Sequence, residues 1–329
     1  MYESFYHLTA MPFQLTPDSR FFFGSKGHSR AIAHLNYGLA QNEGFIVITG
    51  EVGAGKTTLV EWLRSQMDPA AFTIARVSTT QVSENDLFRL AMAGFGLQDD
   101  GIGKAALLAR FEDVLRAHQA AGRRCLLVVD EAQNLSVPAL EELRMLSNIT
   151  VDGRTSLQTI LLGQPQFRRL LASTNMDQLR QRVLTSYHLG PLSPEETQAY
   201  IEHRLHAVGW TSDPAWSGEA FAAVYAHTGG IPRRINRLCS RVLLYGALEQ
   251  THAITDAVVE ATALELSQDL EGGAESGGVP MRNGMDMDTP AVGNGAAGAL
   301  QERVTALEHK VASRDQMFRR LSQMLGLES

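Results

Sequence analysis

Nine consecutive residues, Gly50-Glu51-Val52-Gly53-Ala54-Gly55-Lys56-Thr57-Thr58, carry the densest chemistry in the chain and fit G-x-x-x-x-G-K-[ST]. The glycines let backbone N–H groups turn inward around phosphate oxygens, and a helix starting near the lysine adds its N-terminal dipole. Lys56 then contacts the β- and γ-phosphates of a nucleotide, and the Thr57 hydroxyl ligates Mg²⁺. The local context suits this role: an apolar run, FIVIT at Phe45–Thr49, precedes the loop, and TTLVEWLRSQ follows it with helical character.

A second stretch, CLLVVDEAQN, ends an apolar run on Asp130 and Glu131. At the carboxyl end of a strand, Asp130 can hold Mg²⁺, and Glu131 can orient and deprotonate an attacking water. An acidic pair after a strand is common in polar loops; the phosphate loop upstream gives this one its meaning.

These residues need a frame. Phe45–Thr49, Phe72–Val77, Cys125–Val129 and Thr159–Leu162 read as strands buried on both faces, with Ser186–Leu189 as a fifth. Helical stretches such as Lys104–His118 and Val137–Ile149 lie between them. Strands alternating with helices imply a parallel α/β sheet. From Gly190 only helices are readable: one opening at Ser193-Pro194 with Glu196 completing a capping box, then about Gly218–His227, Pro232–Glu249 and Asp256–Leu266. EGGAESGGVPMRNGMDMDTPAVGNGAAG has the composition of a flexible linker. Leu300, Val304, Leu307, Val311, Phe318, Leu321 and Leu325 then follow a 4-3 spacing interrupted by Arg314. This suits either a short coiled coil or a lone amphipathic helix. The expected organisation is a core over 1–190, a helical lid over 191–268, a linker over 269–298 and a terminal helix over 299–329.

Composition sets the outer limits. The 329 residues carry a net charge of -7, with 44% apolar and 20% charged residues. That argues against a surface built to bind nucleic-acid backbone, although a local basic patch stays open. No apolar run reaches the ~18 residues of a membrane span, and the first residues lack a signal-peptide pattern. The two cysteines, Cys125 and Cys239, are expected as buried thiols. A cytoplasmic protein is expected, peripheral at a membrane only through a partner. His203 and His206 are three apart, with Arg204 between them and no evident third ligand, and a solvated helix face is expected there. The run Phe21–Phe23 lacks the basic interleaving of a nucleic-acid stacking platform.

A glutamate beside the Mg²⁺ aspartate marks the branch of P-loop NTPases that contains AAA+ machines, RecA-like motors and transporters, and the ordered motifs here resemble those of the AAA+ ATPases. The absence of an N-K-x-D segment points to ATP over GTP. The resemblance implies three further roles. Gln164, in TILLGQP, takes the sensor-1 position between water and γ-phosphate. Arg180 or, preferably, Arg182, in QLRQRVLTSYHL, supplies an arginine finger to a neighbouring subunit. Arg233, in GGIPRRINRLC, matches the sensor-2 arginine of a helical lid. The opening MYESFYHLTAMPFQLTPDSRFFFGSKGHSRAIAHLNYGL, with ALEELRMLSN, LRQRV and YHLGPL, is similar to the GspA/ExeA-type secretion ATPases, and most to those of exosortase/PEP-CTERM and exopolysaccharide loci. That similarity implies an adenine pocket lined from Pro12, Phe13 or Phe22. Fuller family members add a transmembrane helix and a peptidoglycan-binding domain; here a linker and a short helix are expected after the lid.

The expected protein is therefore a homo-oligomeric MgATPase whose core and lid motion acts on a protein partner, with the terminal helix as a possible contact. Two alternatives share the same core: a DNA-associated regulator of the MuB or TnsC kind, and a nucleotide switch with scarcely any turnover.

Overall fold

The computed structural model describes residues 2–16, 18–78, 83–98 and 101–272. Of the linker expected over 269–298, residues 269–272 continue the last described helix; the rest of it and the terminal helix expected at 299–329 lie outside the described residues. The chain divides into two compact units. One comprises Gln14–Ala207 and Thr228–Arg237; the other comprises Met1–Phe13, Val208–His227 and the residues from Leu238 onward.

The first unit is built on five parallel strands: β1 (Phe45–Gly50), β2 (Phe72–Ser78), β3 (Arg124–Asp130), β4 (Leu157–Gly163) and β5 (Val183–Leu189). Their spatial order is β2-β3-β4-β1-β5. Side chains alternate faces along a strand, and β1 shows the consequence. Phe45 and Val47 join one hydrophobic cluster with Leu127 and Leu161, while Ile46 and Ile48 join another with Val128 and Ile160. A sheet buried on both faces needs continuous apolar runs, which is why these strands read as runs and not as alternations.

Helices cover both faces. On the β1 Ile46 side lie α1 (Lys26–Gln41), through Ala31 and Leu35, and α2 (Lys56–Gln66), through Leu59 and Leu63. On the other side lie α3 (Glu84–Gly94), α4 (Lys104–Ala120), α5 (Val137–Leu146) and α6 (Pro165–Leu171), anchored by buried Phe88, Phe111, Leu140 and Phe167. Ser25, Ser83 and Ser136 cap α1, α3 and α5 by accepting from backbone N–H groups three residues on. The helix α7 (Pro194–His206) begins with the anticipated capping box: Ser193 Oγ accepts from Glu196 N at 3.2 Å, and Glu196 accepts from Ser193 N at 3.1 Å. Glu196 also accepts from Lys26 N at 2.8 Å, tying α7 to the start of α1.

The second unit contains α8 (Gly218–Thr228) up to His227, most of α9 (Pro232–Leu248) and α10 (Asp256–Gly272). It is not wholly helical: Ala215–Trp216 pairs in parallel with Ala253–Ile254. Residues 2–13 belong to this unit. The Tyr6 hydroxyl donates to the Thr251 carbonyl at 3.0 Å and the Thr9 backbone N to Val208 O at 2.9 Å. Two-residue strands leave no run long enough for a pattern, and a segment some 245 residues from its partner carries no local mark of it. Cys125 and Cys239 are buried thiols not joined in a disulfide, and no described helix is long and apolar enough to cross a membrane.

Candidate functional site

The glycine-rich loop leaves the carboxyl end of β1 and enters α2 at Lys56. Gly53 has φ +82°, and a Cβ there would lie 2.3 Å from the Cβ of Arg233. Any side chain would therefore meet both backbone strain and a collision. The Gly53 carbonyl accepts from Arg233 N at 3.1 Å, so the first turn of α9 is seated on the loop. Gly53→Ala is expected to weaken nucleotide binding about tenfold or more, taking strain of ~1–2 kcal/mol for the left-handed backbone plus displacement of Arg233. Gly96→Ala is the control, since Gly96 has φ +84° but open space around it. It should lower the melting temperature alone. Ligand titrations and thermal melts of both variants compare the two effects, and equal binding losses would discount the Arg233 contact.

Lys56 is buried, and its Nζ donates to the carbonyls of Gly50 at 2.8 Å and Glu51 at 3.0 Å. The ammonium thus closes the loop over its own backbone. Burial pushes its pKa down, while the carboxylates of Glu131, Asp130 and Glu51 oppose the shift.

Two oxygen donors converge beside it. Thr57 Oγ1 donates to Asp130 Oδ2 at 2.9 Å, and Asp130 is 5% exposed. A hydroxyl and a carboxylate brought together at a phosphate loop fit Mg²⁺, which takes few protein ligands and completes its shell with water and phosphate. No group of three His, Cys, Asp or Glu able to hold a metal occurs among the described residues. Arg76, on β2, also reaches Asp130 Oδ2 at 3.0 Å and Glu61 at 2.8 Å. The only sign of it in the sequence is a charge inside a strand, FTIARVS, which does not by itself point to Asp130.

Glu131 stands just beyond β3 in the left-handed region, at φ 54° and ψ 40°. A non-glycine residue there stores strain. Its Oε2 accepts from Gln133 Nε2 and from Gln164 Nε2, the latter at 3.1 Å. Gln133 Oε1 in turn accepts from the Gln164 backbone N at 2.9 Å. Gln133 therefore clamps the exits of β3 and β4 together around the carboxylate. Gln164 is marked by its motif, whereas Gln133 is not, although it stands only two residues after Glu131.

A cavity of about 320 Å³ runs along the loop. Lys56, Thr57, Glu131 and Arg233 line it, as do Phe21, Phe22 and Phe23. Of the three residues expected near adenine, Phe22 is on this wall, stacked on Trp62 at 4.7 Å; Pro12 and Phe13 are buried and belong to the other compact unit. His28 also lines it. Its Nδ1 lies 2.8 Å from Ser25 Oγ, and its Nε2 lies 2.9 Å from where a Cβ on Gly55 would stand. Burial pushes its pKa down to about 4, so the ring is neutral at physiological pH. His203 is half-buried, 5.7 Å from the Phe23 ring, and does not lie on a solvated face.

Arg182 and Arg180 are elsewhere. Register pairs Phe45 with Val183 and Gly50 with Leu189, so Arg182 stands at the sheet edge opposite the loop. Five residue steps along β1 separate the two edges, roughly 16 Å at the usual rise. The Arg182 guanidinium donates to Ser147 Oγ at 3.2 Å, and Arg180 pairs with Asp177 at 2.6 Å. The site thus gathers a glycine-rich loop, a Thr57–Asp130 oxygen pair and a Glu131 carboxylate held by two glutamines, without either arginine.

A family model described as an AAA domain matches residues 39–171. General secretion pathway protein A of Aeromonas hydrophila is 37% identical over 268 residues, which is 81% of this chain and 49% of that protein. The chain spans about half the length of this curated relative. Among solved structures, the fold is similar to the ADP form of the Aeropyrum pernix ORC2 protein (TM-score 0.59, 16% identity, 83% of this chain and 80% of that one). It is also similar to Drosophila ORC bound to DNA (TM-score 0.56, 16% identity, 85% and 68%). At such identities the likeness speaks for fold alone. Motif order, sheet order and the similarity to the secretion protein converge: residues 39–171 form an AAA domain of the P-loop ATPase type, and the chain is related over 81% of its length to general secretion pathway protein A.

Proposed function

We propose that this chain binds MgATP and hydrolyses it at a site completed by a second copy of itself. The supporting observation is the convergence of Lys56, Thr57 and a Glu131 carboxylate held by two glutamines on one cavity, with Asp130 bonded to Thr57, while the arginines before β5 stand at the far edge. In this reading the loop amides and Lys56 hold the β- and γ-phosphates, and Thr57 and Asp130 hold Mg²⁺. The ion, when bound, neutralises charge developing on the phosphates. Glu131 takes the proton of the attacking water, Gln164 positions that water, and Arg233 reports the γ-phosphate to α9. Arg182 of a neighbouring copy supplies the missing cation.

The output is a movement of the lid acting on a protein partner in an envelope secretion or exopolysaccharide pathway. The 37% identity to a general secretion pathway protein supports the secretion half of this reading. The test is single-turnover ATP hydrolysis at rising protein concentration with ATP saturating. The rate per protomer should climb with concentration and then level off as interfaces fill. A rate that is flat across the concentrations where light scattering shows association would overturn the shared site.

A further inference from the structure

Arg204, on α7, is a buried cation with no carboxylate among its hydrogen-bond partners. It is 5% exposed. Its Nη1 donates to the Tyr200 hydroxyl at 2.8 Å, its Nη2 reaches the Gln14 carbonyl at 3.4 Å, and its Nε is buried without a partner. The guanidinium lies 4.6 Å from the Phe21 ring centroid. A guanidinium carries five N–H donors, and only two are engaged here, one of them at a long distance. Burying such a charge without a counter-charge is costly. Arg204 nonetheless lines the cavity that contains the phosphate loop.

Its neighbours give the cluster a direction. Arginine can only donate, so the Tyr200 hydroxyl accepts from it. Tyr200 then gives its own proton to Asn236 Oδ1 at 2.8 Å. That fixes the Asn236 amide with its carbonyl toward Tyr200 and leaves its NH₂ as the outward donor. Tyr200 and Asn236 line the same cavity and are 6% and 7% exposed. Asn236 lies one helical turn beyond Arg233 on α9, so both side chains share a helix face.

We infer that Tyr200, Arg204 and Asn236 form a one-directional donor relay that reads the nucleoside of a bound nucleoside triphosphate. The relay offers N–H donors to the acceptor atoms of a purine, beside the aromatic wall of Phe21 and Phe23. Through Asn236 it also ties occupation of the nucleoside end to the turn of α9 that carries Arg233. This inference rests on the reading of the cavity as a nucleoside triphosphate site, and it adds residues that reading does not use. In the sequence Arg204 sits on what reads as a solvated helix face, because helical spacing alone does not distinguish a charge facing water from one facing a cavity.

The test separates nucleoside from phosphate. MgATP and Mg-tripolyphosphate are titrated against the full chain and against Arg204→Met, Tyr200→Phe and Asn236→Asp. Tyr200→Phe keeps the ring and its packing, so it decides the question if Arg204→Met fails to fold. Each folded variant should lose about tenfold or more in ATP affinity, the scale of one buried charge-assisted hydrogen bond. Tripolyphosphate affinity should stay unchanged, which a merely structural role for the cluster would not allow. Equal losses for both ligands, or no loss for ATP, overturn the relay. Wild-type protein that binds tripolyphosphate as tightly as ATP also overturns it, while leaving the phosphate reading standing. Wild-type protein that binds neither ligand sinks both.

Discussion

Glu131→Gln should cut ATP turnover by about 10²–10⁴-fold, the usual span for removing a positioned general base, and leave ATP affinity nearly intact. The substitution keeps the size of the side chain and an oxygen that can still accept from Gln133 and Gln164. It removes the negative charge and with it the basicity, and sets an NH₂ where the second oxygen stood. The backbone at this position is held at φ 54° by its setting between β3 and the following turn, and glutamine meets the same strain as glutamate. The phosphate-holding groups lie on another strand and helix: Lys56 is bonded to Gly50 and Glu51, and Thr57 to Asp130. Single-turnover hydrolysis with radiolabelled ATP, alongside equilibrium ATP binding, measures both quantities. Equal slow rates for wild type and variant would mean that Glu131 is not a working base, and the protein would then be a nucleotide switch.

Arg182→Ala should lower turnover on the scale of a lost arginine finger, about 10³–10⁵-fold, and the loss should be repairable by a partner. The parallel register of β1 and β5 puts Arg182 at the edge opposite its own phosphate loop, so it cannot serve the site on its own chain. Mixing Arg182→Ala with Glu131→Gln protein creates some interfaces free of both defects, one copy giving its glutamate and the other its arginine. Activity should peak near equal proportions. Arg180→Ala, whose side chain pairs with Asp177 at the surface, should keep most activity when tested alone. No rescue at any ratio, with hetero-assembly confirmed by cross-linking, counts against a finger acting in trans.

Much of the candidate site is legible in the sequence because its constraints are local. The loop glycines, Lys56 and Thr57 lie in one short run, and that run sits between a strand and a helix whose apolar patterns are unambiguous. Asp130 and Glu131 follow from the end of an apolar run. The five strands are legible for the same reason: burial on both faces forces continuous apolar sequence. Polar residues are harder, because their role depends on what faces them. Gln133 and Arg76 are ordinary in sequence, and only the fold brings the Gln164 backbone onto Gln133 and turns Arg76 onto Asp130.

The sequence by itself determined the glycine-rich loop, its acidic neighbours and the parallel α/β frame. Glycine conformations, strand exits and apolar runs are dictated by residues next to one another in the chain. Tertiary structure alone decided three other matters. It placed residues 2–13 in one compact unit with residues more than two hundred positions away. It set Arg182 at the sheet edge away from the phosphate loop. It turned Arg204 from an expected surface charge into a buried donor beside Phe21. Each is a question of which distant side chains meet, and such meetings are fixed by packing and strand order, which leave no periodic trace in the residues themselves.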